Sequence, residues 1–315
     1  MSLLRRVTRF LIQRPLESTG LVLVAVFSLL IPAFPQHGNL TNLLTQAPPL
    51  LLLSAGQTCV LLTRGIDLSQ GATVGALSAL MGWGLPALGV PGAIVVTLAA
   101  AVLIGWTNGL LVTRLSIHPF IATLATMYII GGLTMFGTGG TPLAIDRCLG
   151  FFNALAMATP AGVPASMWLG AALLGALWFV LRRTRLGLFL YAIGSNPEAA
   201  EAHQLPSGAV ITSGYILSSV FAGCAAILLS ARILQGNPHM GEGLLFDAIG
   251  GAVVGGVSLG GGIGGVWPAA RGALLLLLIQ NALYLTDLNS YIRDVAVGLL
   301  IVAGIALSRK RRSVA

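Results

Sequence analysis

Charge is what this sequence has least of. Only 8% of its 315 residues are Asp, Glu, Lys or Arg, and 56% are hydrophobic; a soluble globular chain carries roughly 25% charged residues. A water-facing surface needs charge to stay soluble, so a large dry core cannot explain the deficit, and lipid can. Lysine is scarcest: Lys310, in the basic tail, is the only one. A phosphate-binding loop ends in Gly-Lys-Ser/Thr, so this chain has no means of hydrolysing ATP itself. Cys59, Cys148 and Cys224 are scattered without metal-ligand spacing and read as small apolar residues in helices. His118 and His239 stand alone and read as structural. The apolar runs hold no paired acids, Ser/His pair or ligand cluster, which leaves no catalytic, metal or cofactor site to assign.

The charges that do occur sit in islands. None lies between Glu17 and Arg64, or between Asp67 and Arg114. Each gap is long enough for two spans of about 20 residues. Arg114–Asp146, Arg147–Arg182, Glu201–Arg232 and Asp247–Arg271 hold one each. Two shorter gaps, Arg271–Asp287 and Asp294–Arg309, also serve, because terminal charges snorkel to the headgroups. The result is about ten transmembrane helices: 18–34, 43–63, 71–89, 93–112, 119–137, 164–181, 209–231, 245–259, 267–285 and 292–307. Solid apolar runs, rather than alternating residues, exclude a barrel.

A net charge of +8 raises nucleic acid as a partner, but its placement points to the bilayer instead. Arg5, Arg6, Arg9 and Arg14 precede the first span, Arg182, Arg183 and Arg185 follow the sixth, and Arg309, Lys310, Arg311 and Arg312 follow the tenth. An even number of spans puts all three clusters, and both termini, on one side, which the positive-inside rule makes cytoplasmic. The N-terminus resembles a signal peptide, but Leu21–Ile31 leads straight into further spans and reads as an uncleaved first helix. An external segment, 138–163, follows the fifth span, and a cytoplasmic loop, 182–208, follows the sixth.

Glycine is plentiful, with 41 residues, and is concentrated in two irregular spans. The second holds Pro48-Pro49 and Gly56, then runs into Gly65-Ile66-Asp67-Leu68-Ser69-Gln70-Gly71; the eighth holds Gly250-Gly251, Gly255-Gly256 and Gly260-Gly261-Gly262. Both read as broken helices, which survive at membrane depth only against protein or a watery cavity. Placing Gly65 on Gly256 aligns Leu68 with Leu259 and Asp67 with Ser258, and Asn108 then resembles Asn281. Five spans per copy is odd, so the second copy is inverted, as in transporters. The expected fold is all-α and integral to the membrane: a single domain, 1–315, of two inverted five-helix repeats, 18–137 and 164–307, with broken second and eighth helices.

Asp67 is the sharpest single residue, since an acid in a span is costly. It lines the substrate path, or caps the helix beginning near Ser69 or pairs with Arg64, or binds a coupling ion. Asn108 and Asn281 bond across helices or touch the cargo, and Ser69 and Ser258 flank the two breaks. In the cytoplasmic loop, Ser195 or Asn196 caps a short helix with Pro197 at its first position and Glu198 at the positive end of its dipole. Pro206 ends it.

Three blocks together resemble the permease subunits of ribose-type ABC importers: Thr63-Arg64-Gly65-Ile66-Asp67-Leu68-Ser69-Gln70-Gly71, Ile117-His118-Pro119-Phe120-Ile121-Ala122-Thr123-Leu124-Ala125-Thr126-Met127, and Tyr191-Ala192-Ile193-Gly194-Ser195-Asn196-Pro197-Glu198-Ala199-Ala200. A fourth is Gly255-Gly256-Val257-Ser258-Leu259-Gly260-Gly261-Gly262. The resemblance spans nearly the whole chain, in order. It implies a pore of two permease subunits in a bacterial inner membrane, a pair of cytoplasmic ABC ATPase subunits and a periplasmic sugar-binding protein. It also implies that Asn196, Pro197, Glu198, Ala199 and Ala200 seat in a groove of the ATPase. The chain departs from the family in two places. His203-Gln204-Leu205-Pro206 replaces the usual Gly-Ile pair, and Arg64 stands where Gly is usual. An ion-coupled secondary transporter is the alternative that also explains ten spans in inverted repeats.

Overall fold

The computed structural model describes residues 15–286 and, beyond them, Ile292, Val295, Gly298 and Leu299. Apart from those four residues the expected tenth span lies outside the described residues, as do both terminal basic clusters, Asp287, Arg293 and Asp294. The described chain is helical: α1 (Pro15–Leu30), α2 (His37–Leu61), α3 (Gln70–Thr113), α4 (Pro119–Thr138), α5 (Leu149–Met157), α6 (Ala165–Arg183), α7 (Arg185–Ser195), α8 (Pro197–Ala202), α9 (Ser207–Ile233), α10 (Leu244–Val254) and α11 (Val266–Tyr284). Two short strands, β1 (Leu143–Ala144) and β2 (Gln235–Gly236), pair antiparallel with Leu143 opposite Gly236.

Length and apolarity make α3, α4, α6, α9 and α11 able to cross a membrane, while α1 and α10 are shorter apolar helices. The outer faces fit that solvent: Leu29 is 85% and Phe136 90% exposed. A soluble chain does not leave large apolar side chains bare on face after face.

The centre of the bundle is α2. Every residue from Ala47 to Leu61 is buried, so the helix faces protein all round. Leu50–Leu53 share one continuous core with Leu177 and Leu181 of α6, Leu190 and Ile193 of α7, Phe221 and Ala225 of α9, and Leu277 of α11. α2 runs unbroken through Pro48 and Pro49, contrary to the break expected from sequence. Pro48 packs on Gly170 of α6, where an added Cβ would come within 2.9 Å of it. Gly56 serves close approach to Ser218 and Phe221 of α9. These residues are packing features, and the interruption comes after Leu61.

Spans 71–89 and 93–112 are the two halves of α3, separate helices that meet at a break at Gly89. The 44 residues of α3 would stretch about 66 Å if straight, twice the hydrocarbon thickness of roughly 30 Å. Gly89, at φ 63 and ψ −177 between Pro86 and Pro91, turns the chain back. Contacts down the two halves show the hairpin. A Cβ on Gly84 would lie 3.4 Å from Cα of Ala93. The Thr97 hydroxyl donates to Met81 Sδ at 3.8 Å, and Asn108 Nδ2 donates to Ser69 Oγ at 2.8 Å.

The second half of α3 meets α9 at very short range. An added Cβ on Gly105 would lie 2.5 Å from the Tyr215 carbonyl oxygen, and one on Gly109 would lie 2.6 Å from Cα of Thr212. Glycines four residues apart form one ridge-free face, which lets backbones touch where no hydrophobic drive exists.

The eighth span is interrupted as expected. With 11 residues, α10 rises only about 16 Å and gives way to a loop, 255–265, in which Gly256, Gly261, Gly262 and Gly264 all have positive φ. α10 and α2 end alike. Gly65 N–H bonds Val60 O at 3.1 Å with Arg64 left-handed at φ 65, and Val257 N–H bonds Ala252 O at 3.0 Å with Gly256 at φ 103. In this shared turn the left-handed position is Arg64 after α2 and Gly256 after α10, whereas glycine identity pairs Gly65 with Gly256.

Candidate functional site

Between α2 and α3 the chain forms an extended turn, and Asp67 is fully buried in it. One carboxylate oxygen accepts from the Ser69 amide at 3.0 Å and the Ser69 hydroxyl at 2.6 Å. The other accepts from the Ser218 hydroxyl of α9 at 2.8 Å. Gln70 Nε2 reaches Ser218 Oγ at 3.2 Å and the Leu53 carbonyl at 3.1 Å. Asn108 closes the network through Ser69. Asp67, Ser69 and Asn108 thus come together, binding the start of α3, its far end and α9 at one point. Asn108 Oδ1 and Gln70 Oε1 have no partner among the described residues, so the network has spare acceptors.

Arg64 does not pair with Asp67. Its Nε donates to the Gly194 carbonyl at 2.7 Å and its Nη2 to the Ser195 carbonyl at 3.0 Å. The guanidinium points away from the turn, to the end of α7.

Ser258 and Asn281 lie elsewhere. Ser258 is buried and organises the loop after α10: its hydroxyl accepts from Gly260 N–H at 3.1 Å and its own N–H donates to Ile263 O at 2.8 Å. Asn281 of α11 exchanges two amide bonds with Asn39 of α2, at 2.8 and 3.0 Å. Nothing in the apolar pattern singled out Asn39, Gln70 or Ser218. The one available signal was a polar side chain inside an otherwise apolar run.

The loop expected to carry one helix carries two. α7 is anchored at its start by the Thr184 side chain, which accepts from Gly187 N–H at 3.4 Å. It ends one residue before Asn196. Asn196 caps α8 by accepting from Ala199 N–H at 3.0 Å, with Pro197 and Glu198 in the first turn. Asn196, Pro197 and Glu198 are exposed, Ala199 is half-buried and Ala200 is buried. The helix closes earlier than Pro206 demands. Leu205 N–H returns to Ala200 O at 3.0 Å over a left-handed Gln204 at φ 54, and Pro206 instead precedes α9.

Several other ionisable groups make bonds near helix ends. Arg271 of α11 pairs with Glu17 of α1. Gln280 donates to Asp247 at 2.7 Å on the wall of a cavity of about 870 Å³, which Arg232, Glu242, Phe246 and Tyr284 also line. His239 bonds Glu242 at 2.6 Å, and that bond raises the imidazole pKa above its ordinary value. Cys148 is exposed and precedes α5 at φ 57, so it is not the helical, apolar cysteine expected. Among the described residues no group of three His, Cys, Asp or Glu could hold a metal ion.

Lipid-facing helices around a buried central one, a folded hairpin and a half-length helix ending in a glycine loop make this an integral membrane protein. Residues 39–304 match the family model described as "Branched-chain amino acid transport system / permease component", and the chain belongs to that family. It is 34% identical over 298 residues to the ribose import permease protein RbsC of Escherichia coli (strain K12), covering 93% of this chain and 92% of the relative. The RbsC of Haemophilus influenzae is 30% identical over 304 residues, 95% and 94% of the two chains. The D-allose transport system permease protein AlsC of Escherichia coli (strain K12) is 33% identical over 295 residues, 91% and 89%. No solved structure matches this chain.

Proposed function

We propose that this chain is the membrane-spanning subunit of an ATP-driven ABC importer and translocates a small sugar or sugar-like solute delivered by a periplasmic binding protein. The carrying observation is likeness over more than nine-tenths of the chain to permeases named for ribose import, and a permease named for D-allose is nearly as similar. Two copies of this chain, or this chain and a second permease subunit, form the pore in the inner membrane. Each contributes ten spans in two inverted repeats, a layout supported by the matching ends of α2 and α10. Both termini are cytoplasmic.

In this reading α8 is the coupling helix. Its exposed Asn196–Glu198 edge meets the ATPase, and its buried Ala200 fixes it to the bundle. Pro197 and the Asn196 cap hold a six-residue helix that is too short to persist unaided. An ion-coupled transporter is disfavoured by the same likeness to sugar import permeases.

The test is association. The tagged chain should co-purify with its ATPase subunits, and Glu198→Arg, which places a cation at the positive end of α8, should abolish both association and uptake while the chain still inserts. Unchanged co-purification with persisting uptake would overturn the assignment.

A further inference from the structure

The end of α7 meets two other segments in a junction that the sugar-permease reading does not use. Leu62 O accepts from Gly262 N–H at 2.9 Å, joining the last turn of α2 to the loop after α10. Gly194 lies against both: an added Cβ there would fall 1.7 Å from Leu62 O and 2.7 Å from Gly262 N. Tyr191 adds a bond from its hydroxyl to Gly264 O at 3.0 Å. Over this junction lies Arg64, its Nε and Nη2 on the Gly194 and Ser195 carbonyls. Those carbonyls belong to the last turn of α7, where helix acceptors have no partner within the helix and the dipole attracts a cation.

Arg64 holds this place against its own backbone preference. A left-handed conformation, here φ 65, disfavours any residue with a Cβ, and the matching position after α10 is Gly256. The strain persists because the guanidinium fork bridges two adjacent carbonyls, which a lysine ammonium does not match. From Arg64 the chain continues directly to Asp67 and its bonds to α3 and α9, and from Ser195 directly to Asn196 and α8.

We infer that Arg64 is a positioning residue for coupling: it clamps α7 and α8 to the α2–α3 turn, so that load applied to α8 reaches the Asp67 network. The inference rests on α8 being the ATPase-docking helix.

The test uses the full complex, permease with its cognate ATPase, in proteoliposomes. ATP hydrolysis is measured with and without the cognate binding protein, using an equal mixture of D-ribose, D-allose and D-galactose as the probe. Arg64→Gly removes the fork and relieves the left-handed strain, so it should fold at least as well as the native chain. It should keep the ATPase bound and keep its basal hydrolysis, yet lose most of the stimulation by loaded binding protein. Arg64→Lys should recover part of it. Stimulation retained in full by Arg64→Gly would overturn the clamp. So would a lower melting temperature or loss of the ATPase, since either shows a merely structural role. If the native complex itself binds no ATPase or shows no stimulation, the importer reading fails first, and the clamp falls with it.

Discussion

Replacing Gly109 with alanine puts a carbon 2.6 Å from Cα of Thr212, and the same change at Gly105 puts one 2.5 Å from the Tyr215 carbonyl oxygen. Non-bonded carbons prefer about 3.5–4 Å, and backbone atoms cannot swing aside, so α3 and α9 must part by about 1 Å. Overpacking of this kind costs roughly 1–3 kcal/mol. The shift also stretches the neighbouring Asn108–Ser69 bond, now 2.8 Å, beyond useful range, for about 1 kcal/mol more. Alanine's helix preference returns roughly 0.5–1 kcal/mol. The net loss is about 2 kcal/mol, read as a melting temperature lower by roughly 3 °C in detergent for a chain of this length. Gly131 in α4 and Gly175 in α6 have nothing within 4 Å of an added Cβ, so alanine there should leave the melting temperature unchanged or slightly raised. If all four variants melt together, the close α3–α9 contact is wrong.

Other outcomes follow from single observations. Asp67→Ala leaves the Ser69 N–H without an acceptor, and an orphaned buried donor costs roughly 1–3 kcal/mol; the variant should be less stable in thermal melts, and Asp67→Asn, which keeps one acceptor, should fall between it and the native chain. Asn39→Leu and Asn281→Leu remove one amide pair, so a double-mutant cycle in denaturation should give a coupling of about 1 kcal/mol; strict additivity would deny the pair. His239 should titrate above its ordinary range by NMR, and Glu242→Gln should bring it back down. Because the folded pKa is raised, any stability from that pair is present at low pH and lost as pH rises through the folded value. Topology reporters fused after Gln36 and after Pro206 should report opposite sides, outside and inside.

Much of the helical framework could be read from where charge is absent. Charge-free runs placed 119–137, 164–181, 209–231 and 267–285 against helices Pro119–Thr138, Ala165–Arg183, Ser207–Ile233 and Val266–Tyr284, because in lipid a charge ends a span more surely than any local propensity. α7 escaped notice for the same reason. It begins at Arg185 among basic residues and is too short to be a span. The strand pair joins Leu143 to Gly236 and Ala144 to Gln235, a separation beyond any local signal. Pro48-Pro49 suggested a break because proline removes a helix donor, yet α2 is enclosed by neighbours that hold its course. At the site, the Asp67–Ser69 contact was legible from their spacing, although Asp67 bonds Ser69, the residue before α3, and none of the helix's own amides. Ser218 was not, since α9 reaches Asp67 only through the fold. The Arg64–Asp67 pairing failed because nearness along the chain says nothing of a better acceptor brought up by α7. Glycine identity paired Gly65 with Gly256, while the left-handed position that the two turns share falls on Arg64 and Gly256.

Uptake by proteoliposomes tests the central claim most directly. With this chain, its ATPase and its loaded binding protein, sugar should enter only when ATP is present on the ATPase side, and collapsing sodium and proton gradients should make no difference. Uptake driven by either gradient without ATP would contradict the account.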